Sequence, residues 1–337
     1  MRKWSGLVFA AMLAGCVSVE PDTAPRGPQV ALDMNFPDPA VLRAADGFYY
    51  AYATQGEVDG AMRNIQVARS RDLQTWEHFG DALPVKPSWA SKTQDFWAPD
   101  VSEHAGRYYM YYSAKPDAAL ADSGQGLCLA VASATAPQGP FADMGKPLLC
   151  GEGFVNIDPM AFDDPATGRR LLYWGSGFGP IKVQELAPDR MSFAEKSSPV
   201  SLVEVVKTDD PTNYRRLVEG AWVVRRDGWY YLFFSGDNCC GPNAHYAVMV
   251  ARSRNAEGPF EVKPERGGVI LEATPGWVAP GHNSTIEDGE GGTRILYHAV
   301  DMNKPRDKPG DDINTRRVML IDRLVWKDDW PHVALSD

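Results

Sequence analysis

The sequence predicts an all-β chain folded as one five-bladed β-propeller. Three observations lead there. Five segments repeat one strand-and-turn design at nearly constant spacing, the composition is rich in aromatics and turn formers, and convincing amphipathic helices are absent. The chain of 337 residues is 44% hydrophobic and contains 13 Tyr, 13 Phe, 10 Trp, 31 Gly and 26 Pro. That balance favours strands joined by tight turns. The charge is −10, or −12 once residues 1–15 with Arg2 and Lys3 are set aside. A chain this acidic, without basic clusters, is unsuited to gripping nucleic acid and has no polybasic membrane patch.

From the N-terminus, Met1-Arg-Lys precedes an apolar run, Leu7 to Ala14, too short to span a bilayer as a permanent helix. It ends Leu13-Ala14-Gly15-Cys16, which is similar to the lipobox of bacterial lipoproteins. Residues 1–15 are therefore expected to be a lipoprotein signal peptide. Cys16 is the expected lipidation site, and residues 16–30 the tether of an exported lipoprotein. Val17 and Ser18 offer no aspartate for inner-membrane retention, so a periplasmic, outer-membrane anchorage in a Gram-negative bacterium is expected. Residues 31–337 remain for the propeller.

The repeats run Asp46-Gly-Phe-Tyr-Tyr, Ala105-Gly-Arg-Tyr-Tyr, Thr167-Gly-Arg-Arg-Leu, Asp227-Gly-Trp-Tyr-Tyr and Gly291-Gly-Thr-Arg-Ile. Taking Gly47, Gly106, Gly168, Gly228 and Gly292 as equivalents, the spacings are 59, 62, 60 and 64 residues. A second strand-like run follows each, and most lead through a turn to Trp76, Phe141, Phe193, Phe260 or Trp326. Units of three or four strands at this period fit radially arranged sheets better than a linear solenoid. Of the remaining cysteines, Cys128, Cys150, Cys239 and Cys240, none stands in a CxxC metal pair. Disulfides are expected in an exported protein, with adjacent Cys239 and Cys240 joined to each other or each paired elsewhere.

Nine or ten residues before each repeat glycine stand Asp38, Trp97, Asp158, Glu219 and Asn283 beside His282. The first strand of each propeller blade lines the central axis, so these residues should converge. Three carboxylates gathered there repel one another and lose hydration, which spreads their pKa values. Such a set suits glycosidic bond cleavage: a protonated acid donates to the leaving oxygen while an ionised one activates water on the opposite face. Trp97 could pack on the C–H face of a sugar ring, and Phe36, Trp174, Trp222 and Trp277 could extend that platform.

The motifs Pro37-Asp-Pro-Ala, Trp97-Ala-Pro-Asp, Ile157-Asp-Pro, Glu219-Gly-Ala-Trp and Gly281-His-Asn-Ser together resemble glycoside hydrolase family 43 over roughly residues 31 to 337. The resemblance implies a single catalytic domain that hydrolyses α-L-arabinofuranosides, arabinan or β-D-xylosides with inversion. It makes Asp38 the general base, Glu219 the general acid and Asp158 the group that orients the acid and tunes its pKa. Trp97, Phe36, Trp222 and Arg316 are then expected to contact the sugar. Arg317 is the alternative to Arg316, because adjacent residues in a strand face opposite ways. No cofactor is required, although His282 resembles a histidine that holds an axial calcium or related ion. The sequence ends at Asp337 without the added C-terminal β-sandwich of many xylosidases of the family, so arabinose is the favoured sugar. A β-xylosidase and a non-catalytic carbohydrate-binding propeller are the alternatives. A monomer acting on a carbohydrate is expected.

Overall fold

The computed structural model describes Met1 and residues 27–120, 124 and 126–335. Cys16, and with it the expected signal peptide and most of the tether, lies outside the described residues. Among these residues no helix is long and apolar enough to cross a membrane. The described chain forms five antiparallel sheets around one axis, with a separate two-stranded ribbon of Gly56–Val58 and Ala61–Arg63.

Blade 1 runs outward from the axis as Ala40–Arg43, Tyr49–Ala53, Gln66–Ser70 and Trp76–Asp81. Blade 2 begins with Phe96–His104, Arg107–Ala114 and Cys128–Ala134; blade 3 is Met160–Asp163, Arg170–Trp174, Ile181–Glu185 and Val200–Val203. Blade 4 begins with Glu219–Arg226, Trp229–Asn238 and His245–Ser253. Blade 5 has Trp277–Glu287, Thr293–Asp301 and Arg317–Lys327, completed by the N-terminal strand Gln29–Asn35. The five innermost strands touch in cyclic order, so the first strand of each repeat does line the axis.

The closing strand starts at Gln29, inside the stretch expected to be tether. Its pairing with Arg317–Lys327 draws residues 29 and 30 into the fold, because backbone groups at a sheet edge gain partners there. The repeat register also shifts by one in the last unit. Gly47, Gly106, Gly168 and Gly228 have φ between 72° and 85°, and in the fifth repeat Gly291 at 82° matches them, in place of Gly292.

Five apolar clusters hold the ring together, each between one pair of adjacent blades. This explains why the second strands read as unbroken apolar runs. Tyr50 and Tyr52 pack against blade 2 while Tyr49, Ala51 and Ala53 pack against blade 5, so both faces of the strand are buried. Tyrosine hydroxyls tie neighbours together. Tyr52 donates to the Pro137 carbonyl at 2.6 Å, and Tyr111, Tyr173 and Tyr231 each donate at 2.8 Å to Arg190, Ala256 and Asp329. Each hydroxyl reaches from one blade to the next.

The cysteines resolve into two disulfides, Cys128–Cys150 and the adjacent pair Cys239–Cys240. The first joins two strands of blade 2 at directly opposed positions. By the loop-entropy argument, a bridge between residues 22 apart contributes about 3 kcal/mol.

Candidate active site

In or just before each innermost strand the chain bends through a residue in the left-handed region: Asp38 (φ 59°), Ala98 (44°), Asp158 (57°), Gly220 (63°) and His282 (48°). The bend frees that residue's N–H from the ladder, and in four blades a side chain in, or directly after, the preceding blade's second strand takes it. Ala98 N–H donates to Thr54 Oγ1 at 2.8 Å, Asp158 N–H to Ser113 Oγ at 3.1 Å, and His282 N–H to Ser235 Oγ at 2.8 Å. Asp38 N–H donates to His298 Nδ1 at 3.1 Å, closing the ring from blade 5 to blade 1. Blade 3 carries Gly175 at this place and has no side chain to offer. The Gly220 N–H donates instead to Asp158 Oδ2, at 3.0 Å. Gly220 itself admits no side chain readily, because a Cβ there would sit 3.3 Å from the His282 ring on a backbone of positive φ.

These bends aim side chains into a cavity of about 310 Å³ lined by Asp38, Thr54, Trp97, Asp158, Glu219, His282, Arg317 and, at its rim, Asn238 and the Cys239–Cys240 disulfide. Phe154, Ile157 and Leu217 supply its apolar wall. The three acids therefore share one cavity, as their matched positions in the repeat predict.

Their environments differ. Thr54 donates to Asp38 Oδ2 at 2.6 Å and Arg317 Nη1 to Oδ1 at 2.9 Å. Burial disfavours the Asp38 charge, but the opposing groups, the Arg317 guanidinium foremost, hold the carboxyl well below the usual range. Asp158 is pushed well above that range by burial and then by the charges of Glu219 and Asp38. Burial likewise raises Glu219, although Tyr246 donates to Oε1 at 2.7 Å and Ser176 to Oε2 at 2.8 Å, both favouring the ionised form. The two histidines are driven towards neutrality by burial, His298 down to about 4. Arg317 is thus the cation that faces Asp38.

Several expected sugar contacts are not in the cavity. Phe36 is fully buried between blades 5 and 1. Trp222 is wedged between blades 4 and 5, its Nε1–H donating to Thr285 Oγ1 at 2.9 Å. Trp174 and Trp277 belong to the cores between blades 2 and 3 and between blades 4 and 5. In each case apolar area gains more from the blade interface than from the wet opening. Arg316 is also corrected: buried at 1% exposure, it holds Asp33 of the closing strand at 2.5 Å and Asp307 at 3.4 Å. Strand alternation turns Arg317, its neighbour, to the cavity. Asn283 is buried and does not line the cavity, whereas His282 does.

His282 Nδ1 lies 3.4 Å from Asp38 Oδ1 and 3.7 Å from Asp158 Oδ2. Among the described residues no three His, Cys, Asp or Glu side chains converge as a metal cage. A lone imidazole turned towards two acids is a poor donor set for calcium, which prefers several oxygens, so the site does not fit an ion caged by the protein.

Sequence reasoning missed Thr54, Ser113, Ser235 and His298, yet a signal existed. Each stands seven residues after its repeat glycine, and Gly175 occupies the same place in blade 3. Tyr246 and Ser176, which hold Glu219, gave no comparable signal.

The profile described as "Glycosyl hydrolases family 43" matches residues 28–331. The chain belongs to this family. Within family 43 it is 25% identical over 284 residues to an extracellular exo-α-(1→5)-L-arabinofuranosidase of Cellvibrio japonicus, covering 78% of each chain. It is 27% identical over 309 residues to an extracellular endo-α-(1→5)-L-arabinanase of Bacillus subtilis, covering 87% of this chain and 86% of the relative. The crystal structure of a thermostable family-43 glycoside hydrolase superposes with TM-score 0.73 at 26% identity, covering 93% of this chain and 98% of that one. The protein is a glycoside hydrolase with the five-bladed family-43 propeller.

Proposed function

We propose that this family-43 enzyme hydrolyses α-L-arabinofuranosidic linkages with inversion. Asp38 is the general base, Glu219 the general acid, and Asp158, which accepts the N–H of the adjacent Gly220, the group that orients Glu219. One observation carries the reading: carboxyls of a single cavity are driven apart, Asp38 towards the ionised form and Glu219 and Asp158 towards the protonated one. That is the division of labour that inverting hydrolysis needs. Glu219 delivers its proton to the glycosidic oxygen as the anomeric C–O bond breaks. A water attacks the opposite face of the anomeric carbon, and Asp38 takes the proton that water loses. Exchange with solvent then restores both carboxyls. Trp97 offers its face to the sugar, and Arg317 is the arginine within reach of the sugar hydroxyls. No step runs through an ion at His282.

The arabinofuranosyl assignment is supported by the activities named for the two relatives above. Its test is product analysis by NMR on debranched arabinan, arabinoxylan and xylo-oligosaccharides. Release of arabinose with the β-anomer appearing first is the expected result. An initial α-anomer would contradict inversion, and cleavage of xylo-oligosaccharides alone would move the enzyme to β-xylosides.

The Tyr246 hydroxyl provides a pH test. Its hydrogen bond lowers the Glu219 pKa, so Tyr246→Phe should raise that pKa. Because the acid works only while protonated, the basic limb of the kcat/KM profile should then move to higher pH. The ring stays in place, stacked on His298 with centroids 5.7 Å apart. A basic limb that stays put or moves down would break the assignment of that limb to Glu219.

Export and anchoring through lipid on Cys16 form part of the same proposal, supported by the lipobox-like Leu13-Ala14-Gly15-Cys16 and by the extracellular relatives. A monomer tethered to the periplasmic face of an outer membrane would meet oligosaccharides already small enough to enter. Labelled palmitate should enter the wild type and not Cys16→Ala; equal labelling of both would refute the anchor.

A further inference from the structure

The catalytic cavity does not end at Glu219. A second hollow of about 490 Å³ opens between blades 3 and 4, lined by Phe178, Val205, Val206, Lys207, Thr208 and Asn243 among others. The two share Asp237 and Asn238 in their linings, so they adjoin as neighbouring arms on either side of those residues. Asp237 is buried and ion-paired with Arg216, which makes the partition between the arms a braced wall.

Phe154 and Phe178 stand where the arms meet. Their rings pack edge to face with centroids 5.9 Å apart; Phe154 lines the catalytic arm and Phe178 the outer one. Phe178 is 66% exposed, an apolar ring held out in water. Gly177 presses its loop onto the segment at Phe154 and Val155 at φ 68°, where a Cβ would lie 2.9 Å from Val155 N and 3.0 Å from Phe154 C. The close approach sets Phe178 beside Phe154, and only glycine permits it.

The direction of the arm follows from the chemistry. Ser176, two residues before Phe178, donates to Glu219 Oε2. The acid is thus held from the same loop that presents the exposed ring. A general acid protonates the oxygen that departs, so whatever is attached to that oxygen lies on the acid's side of the scissile bond, away from Asp38. We infer that the Phe154–Phe178 pair and the hollow beyond it form the binding site for the sugar units on the leaving-group side, with Phe178 setting the preference for longer chains. The inference rests on Glu219 being the acid. Sugar C–H faces cover the Phe178 ring, and Lys207, Thr208 and Asn243 offer hydrogen-bonding groups to hydroxyls. The enzyme then draws affinity from two or more units beyond the cleaved bond.

The test compares wild type, Phe178→Ala and Phe178→Trp on arabino- and xylo-oligosaccharides of two to five units, with inhibition by free arabinose measured alongside. Phe178 is exposed, so the alanine variant should fold. For the longest substrates its KM should rise roughly tenfold, the order expected when partial burial of one ring is lost, with kcat little changed. The penalty should shrink with chain length, arabinose inhibition should not move, and tryptophan should restore affinity. A penalty equal for all lengths, or none at all, would overturn the inference. Wild-type cleavage of the xylo-series alone would overturn the sugar assignment, and the Phe178 comparison would then be read on that series. Cleavage of neither series would overturn both.

Discussion

Asp38→Asn should lower kcat on arabinan by about 10²–10⁴-fold, the span typical of a lost general base, while KM changes little. Asparagine is nearly isosteric and tolerates the positive φ of 59° at this position. The Thr54 hydroxyl keeps a neighbour to bond. What goes is the charge that draws the proton from water, and Arg317 is left facing a neutral amide. The wild type should show the complementary pH behaviour. Asp38, held well below the ordinary range, is ionised above its own pKa, and Glu219, raised, stays protonated below its own. Activity therefore occupies the window between them: its acid limb lies below the usual aspartate range and its basic limb above the usual glutamate value. A variant that keeps wild-type turnover would remove Asp38 as the base.

Glu219→Gln should lose about 10²–10⁴-fold on arabino-oligosaccharides and much less on p-nitrophenyl arabinofuranoside. A sugar alkoxide is a poor leaving group and needs the proton, whereas nitrophenolate departs without it. Glutamine can accept one of the two hydroxyls at its amide oxygen and donate from its amide N–H to the oxygen of the other, so both Tyr246 and Ser176 keep a partner and the cavity should keep its shape. The two substrates compared on one variant separate proton donation from general damage. Equal losses on both would mean that Glu219 acts in some other way.

The acids were legible because a repeat converts sequence position into angular position around an axis. Asp38, Asp158 and Glu219 stand at matched distances from their turn glycines, and each blade bends its first strand near that point. The aromatic platform was not legible in the same way. Phe36 directly precedes one of these motifs and Trp222 stands in another, yet side-chain parity sends them into blade interfaces. Arg316 and Arg317 show the limit most plainly. Alternation says that one of them faces inward, but which one depends on the pairing of Arg317–Lys327 with the closing strand. That pairing slips between Val30 and Leu32 and again between Leu32 and Asn35.

Local pattern by itself determined the strands, the turns, the five blades and the presence of three acids near one axis. All of these follow from period-two alternation and turn glycines repeated along the chain. The protonation state of each acid was decided only by tertiary structure. The cation facing Asp38 comes from Arg317, 279 positions along the chain, and the amide that Asp158 holds belongs to Gly220, 62 positions away. A carboxyl's pKa is set by burial and by charges within a few ångströms, and the closing of the ring is what brings those groups together.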